Sequence, residues 1–208
     1  MIKHVVFDFD GTIANTTHLV PQIINEVLTE FNKRPIAPDE MSRYLTMHWK
    51  DAVKDYGLRW YELPKYAIAA QKKMHNKLDC IDLCENMKEV LLNLSEKYTT
   101  NIISLNSKEN ISKVINKYNL HTIEEVFSTK GKMTKKKILK KYLKQFNIER
   151  HEMLYIGDEL SDIEACKKNN IKVIAVTWGY DSKEKLLAAG PDYLVDSPYD
   201  IPQIVSAY

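Results

Sequence analysis

The chain has 208 residues, 44% of them hydrophobic and 28% charged, the proportions of a globular protein with room for one sizeable domain or a domain plus a smaller insert. A formal net charge of +2 gives no reason to expect nucleic acid or another polyanion as a partner. Three cysteines make no disulfide framework, no apolar run is long enough to span a bilayer, and the N-terminus lacks signal-peptide make-up, so the expectation is a cytoplasmic protein with reduced thiols and no membrane contact.

Taken in chain order, Val5, Val6 and Phe7 read as a buried strand, and Gly11 marks a forced turn after it. From 16 to 79 the pattern is helical. Leu19, Ile23, Ile24, Val27, Leu28 and Phe31 have helical spacing, and Pro35 and Pro38 break the chain. Asp39 caps a helix through Met41, Tyr44 and Leu45, a shorter helix from Trp49 stops at Gly57, and Pro64 opens a long one that reaches Leu78. Cys80 and Cys84 are spaced to share a helix face and, with no second Cys/His pair at zinc spacing, are expected as buried thiols.

From Cys84 onward strands and helices alternate. Strands are expected at 101–105, 126–127, 153–156, 172–176 and 193–195, with helices at 87–94, 111–118, 138–146, 163–166, 183–189 and 201–205. Such alternation argues for a parallel sheet covered on both faces, whose ligand lies outside the carboxyl ends of the strands. The expected division is a discontinuous α/β core at 1–15 and 80–208 and a helical insert at 16–79.

The chemistry sits at strand ends. Asp8 and Asp10 follow the first strand one residue apart, so their side chains share a face. Two such charges are costly unless a cation lies between them or one carries a proton, and an all-oxygen site favours Mg²⁺. One carboxylate is then placed to attack and the other to trade protons. A second strand ends in Gly157-Asp158, with Asp162 four residues on near a helix start. A helix cap explains Asp162 alone, but not two distant strands that both end in Asp.

The segment from His4 to Ile13 resembles the first motif of the haloacid dehalogenase (HAD) superfamily, Asp-x-Asp-Gly-Thr after an apolar strand. Gly157-Asp158-Glu159-Leu160-Ser161-Asp162 resembles its fourth motif, Gly-Asp-x-x-x-Asp. The strand and loop at 172–180 and Gly190-Pro191-Asp192-Tyr193 look like the family's segments C-terminal to that motif. The resemblance implies a Rossmann-like parallel-sheet HAD core with a small helical cap inserted after the first strand, of the phosphoglycolate phosphatase-like branch. It implies a Mg²⁺-dependent phosphomonoester hydrolase acting on a small phosphorylated metabolite. Asp8 is then the nucleophile that takes up the phosphoryl group. Asp10 protonates the leaving oxygen and later activates water. Asp8, the Asp10 backbone carbonyl and Asp158 bind Mg²⁺, and Asp162 supports the metal.

The family also places a lysine on the nucleophile. Lys132 is best spaced before Gly157, with Lys130 and Lys135 as runners-up, whereas Lys136, Lys137, Lys140, Lys141 and Lys144 read as a solvated helix face. The second family motif ends a strand in Ser or Thr, often followed by Asn. Here Asn101-Ile102-Ile103-Ser104-Leu105-Asn106-Ser107 puts Leu105, which has no donor, at the hydroxyl position. Phosphate contacts are therefore expected from Asn106 and Ser107, with Gly11 and Thr12, and Ser104 is expected to point elsewhere. A missing donor at a charged transition state costs rate, which keeps a catalytically impaired binding or regulatory protein as an alternative beside a phosphomutase. Asp10 argues against a dehalogenase. In the insert, Arg43, His48, Trp49, Lys50, Arg59 and Trp60 are expected as surface charge and core aromatics, and His4 and His18 as packing residues.

Overall fold

The computed structural model describes residues 1–47, 49–128 and 134–208. It divides into two compact units, Met1–Asn15 with Ile81–Tyr208, and Thr16–Cys80. The first is built on a six-stranded sheet of β1 (His4–Phe7), β4 (Thr99–Ser104), β5 (Ile123–Ser128), β6 (Met153–Gly157), β7 (Lys172–Val176) and β8 (Tyr193–Val195). Their order is β5-β4-β1-β6-β7-β8 and every pairing is parallel. β1 is central because Val5, Val6 and Phe7 are apolar on both sides, as a strand covered on both faces requires, and all three are fully buried. Helices α5 (Met87–Ser95), α6 (Lys108–Tyr118), α7 (Lys135–Phe146), α8 (Leu160–Lys167), α9 (Lys183–Ala189) and α10 (Asp200–Ser206) follow the strands. Val6, Ile103, Tyr155, Leu139, Tyr142 and Ile163 share one buried cluster beneath α7 and α8.

Register positions the candidate site residues. Phe7 pairs with Ile102 on β4 and with Ile156 on β6, so three neighbouring strands run out of sheet within a residue or two of each other. Asp8, Leu105 and Asn106, and Asp158 therefore come off one edge, the carboxyl end of a parallel sheet.

Two short strands, β2 (Ala14–Asn15) and β3 (Asp82–Leu83), pair antiparallel and were not expected, since two residues carry no readable period. Between β1 and β2 the chain closes a tight turn: the amides of Ile13 and Ala14 both donate to the Phe9 carbonyl at 3.0 and 2.9 Å, and Gly11 N–H donates to Ala14 O at 2.9 Å. The second strand of the core ends at Ser104, one residue short of expectation, and leaves Leu105 exposed.

The second unit holds α1 (Val20–Glu30), α2 (Pro38–Thr46), α3 (Trp49–Tyr56) and α4 (Leu63–Asn76). α1 and α4 pack through Phe31 and Tyr66, with ring centroids 4.6 Å apart, and through ion pairs Glu30–Lys73 and Glu26–Lys77 at 2.9 and 3.0 Å. Pro38 is the first residue of α2, as its fixed φ favours, so Asp39 lies inside the first turn and Ala37 takes the cap position. Three further expectations fail here. Trp60 is 80% exposed and is not core, Cys80 is exposed, and Cys80 and Cys84 flank β3 rather than sharing a helix. His48 lies outside the described residues. No helix among the described residues is long and apolar enough to cross a membrane.

Candidate active site

Asp8 is the first residue past β1, tied to β6 by its amide, which donates to Ile156 O at 2.8 Å. Its carboxylate is buried. Oδ2 accepts from Lys135 Nζ at 2.7 Å, while Oδ1 is buried with no hydrogen-bond partner. Lys135 opens α7 and is itself only 6% exposed; its ammonium also donates to Asp162 Oδ1. Burial alone would pull the Lys135 ammonium down, but the Asp162 and Asp8 carboxylates overcome it and hold it well above the ordinary lysine range. The lysine is therefore a fixed positive charge clamped between two carboxylates.

Asp158 is fully buried, its Oδ1 accepting from Thr12 Oγ1 at 2.6 Å and its Oδ2 from Tyr180 N–H at 2.8 Å. Burial, then Asp8 and Asp162, push its carboxyl well above the usual range, against those two hydrogen bonds. Asp162 is pushed up by burial too, with Lys135 opposing and Asp8 and Glu159 adding to the rise. Bare backbone makes room for this crowd. At Gly11, whose φ is +77°, a Cβ would lie 2.3 Å from Asp158 Oδ2; at Gly179 it would lie 2.2 Å from the same oxygen. At Gly157 it would lie 2.5 Å from Asp162 Oδ2. Asp162 also holds the start of α8, accepting from Glu159 N–H at 3.2 Å.

Asp10 accepts at Oδ2 from Asn106 Nδ2 at 2.9 Å, which joins the β1 and β4 ends. Ser107 Oγ accepts from Asn110 N–H at 3.1 Å and so caps α6. Gly11 N–H and the Thr12 hydroxyl, expected on phosphate, are engaged within the turn and on Asp158. Ser104 turns inward and accepts from Asn106 N–H at 3.1 Å, and Leu105 contributes no donor. Of the three candidate lysines, Lys135 reaches Asp8; Lys130 and Lys132 lie outside the described residues.

Glu159 was not singled out from the sequence, because it stands at an unrestricted position of the motif it belongs to. Among the described residues, Asp8, Glu159 and Asp162 offer carboxylate oxygens all within 4.8 Å of one another. Burial raises the Glu159 carboxyl, with Lys135 opposing, and Ser161 Oγ donates to its Oε2 at 3.0 Å. An all-oxygen donor set, with carboxyls raised first by burial and then by neighbouring carboxylates, fits a hard divalent cation.

A parallel α/β sheet with buried carboxylates at its carboxyl edge, one clamped by a lysine, defines a class of enzyme built for transfer of an anionic group. Residues 5–176 match the model of the haloacid dehalogenase-like hydrolase family, and the chain belongs to that family. It sits among the family's phosphatases. It is 26% identical over 207 residues to the phosphoglycolate phosphatase of Synechococcus elongatus, covering 99% of this chain and 98% of that one. It is 28% identical over 199 residues to the glyceraldehyde 3-phosphate phosphatase of Pyrococcus abyssi, covering 86% and 83%. A haloacid dehalogenase-like hydrolase from Streptococcus pneumoniae shares the fold, with a TM-score of 0.86 at 16% identity and 98% of each chain covered.

Proposed function

We propose that the protein is a Mg²⁺-dependent phosphomonoester hydrolase for a small phosphorylated metabolite, phosphoglycolate phosphatase-like, working through a phosphoryl group held on Asp8. The observation that carries this reading is the state of the Asp8 carboxylate: Lys135 occupies Oδ2 and leaves Oδ1 buried without a partner. A desolvated carboxylate oxygen with its twin tied to a cation is a placed nucleophile.

Asp8 Oδ1 attacks phosphorus, and the bond to the ester oxygen breaks as Asp10 gives that oxygen its proton. Water then attacks the phosphorus, Asp10 takes the proton, and Asp8 leaves as carboxylate. Lys135 offsets charge on the oxygens throughout. Asp8, the Asp10 carbonyl, Asp158 and Asp162 would hold Mg²⁺, with Glu159 as a further carboxylate; when bound, the ion neutralises the phosphoryl oxygens. The helical unit is assigned the part of the family's cap from its length and place in the chain. The non-catalytic reading rests on Leu105, yet the Asp8–Lys135–Asp162 arrangement carries the charges that catalysis needs.

The test is hydrolysis of p-nitrophenyl phosphate with and without Mg²⁺, by the wild type and by Asp8→Asn. Turnover is expected only with the metal and only in the wild type. Equal rates after chelation, or an active Asp8→Asn, would overturn the proposal.

A further inference from the structure

Asn106 is one of the most thoroughly pegged side chains at the sheet edge. Its carbamoyl oxygen accepts from Ser107 N–H at 2.7 Å and from Asn110 Nδ2 at 3.1 Å. A main-chain N–H can only donate, so the oxygen must lie at that end and the amino group at the other. The amino group then donates to Asp10 Oδ2 at 2.9 Å. The main chain is fixed as well, since Asn106 N–H donates to Ser104 Oγ at 3.1 Å and the Asn106 carbonyl accepts from Ser128 Oγ. Ser104 and Ser128 are register partners on β4 and β5. Asn110, which holds the amide in place, is itself buried on α6.

We infer that Asn106 is a positioning residue for Asp10, committing its Oδ2 as an acceptor so that the proton it delivers travels from Oδ1. This deepens the phosphatase reading and rests on it. In a protonated carboxyl the carbonyl oxygen is the stronger acceptor, so the N–H on Oδ2 favours the tautomer that carries its proton on Oδ1. As the bond from phosphorus to the ester oxygen breaks, the Oδ1 proton passes to that oxygen, which leaves as the alcohol. In the second half a water proton returns to Oδ1. A carboxyl free to rotate would present the wrong oxygen for part of the time. The strand exit that lacks a hydroxyl at Leu105 thus serves the acid rather than the phosphate.

The experiment compares kcat/KM for two esters, p-nitrophenyl phosphate and an alkyl phosphate, in the wild type, Asn106→Asp and Asn110→Ala. The nitrophenolate leaves without help, whereas an alkoxide needs the proton. If Asn106 places the acid, Asn106→Asp loses about tenfold or more on the alkyl ester and far less on the nitrophenyl ester. Asn110→Ala shows the same imbalance in weaker form, and it does not touch Asp10. Equal losses on both esters would mean that Asn106 holds the phosphate, and would overturn the inference. So would unchanged rates in a folded Asn106→Asp. A wild type that hydrolyses neither ester overturns the phosphatase reading and takes this inference with it.

Discussion

At Lys135 one ammonium faces two buried carboxylates, and the three side chains are between 0 and 7% exposed. Removing one member of such a group leaves uncompensated charge in a poor solvent. Lys135→Met is therefore expected to cost about 3–5 kcal/mol in metal-free protein, read as a lower Tm. With Mg²⁺ present, kcat/KM should fall by about 10²–10³-fold, the loss typical of a removed transition-state donor. A variant with wild-type Tm and rate would show that Lys135 does neither. The identity of this lysine was only partly legible. Spacing within the family pattern favours Lys132, but Lys135 lies three, four and seven residues before Ile138, Leu139 and Tyr142, the buried stripe of α7. That periodicity was the usable signal: a lysine on an apolar stripe must find a carboxylate inside. Glu159 gave no comparable sign, because its position matters only once the fold brings Asp8 beside it.

Elements are tied together below the site by a buried polar chain. Asn101 on β4 donates to Tyr142 OH at 2.6 Å, and the hydroxyl of Tyr142 on α7 meets His4 Nδ1 on β1 at 2.7 Å. Asn101 Oδ1 in turn accepts from Glu125 N–H on β5 at 2.7 Å, beside the register shift between Thr100 and Asn101. Burial lowers the His4 pKa below 6.5, with Lys3 in the same direction and Glu124 and Glu152 opposing. The fold thus favours the neutral ring, which can accept the Tyr142 proton. The contribution is complete above 6.5 and is lost as pH falls through the lowered value. The Tm of the wild type should fall between pH 7 and 5 by more than that of His4→Gln, measured by scanning calorimetry. Parallel pH curves would refute it. Sequence reading treats His4 as packing, and it cannot supply this network, whose members lie up to 138 residues apart.

Across the whole molecule, the alternation of strands and helices from Cys84 onward and the apolar β1 were enough to give a parallel sheet. Strands that end in Asp were enough to place those carboxylates at one edge of it. The helical unit was legible as helices and no further. Its exposed aromatics, Trp60 and Tyr61, follow no period that separates a surface from a core. The central claim is that Asp8 carries the phosphoryl group between two half-reactions. Rapid acid quench during turnover, followed by peptide mass spectrometry, tests it most directly. The account predicts one added phosphoryl on the peptide that contains Asp8, absent from Asp8→Asn and discharged when substrate is exhausted. Turnover with that peptide unmodified at every quench time, or with the phosphoryl on another residue, would contradict it.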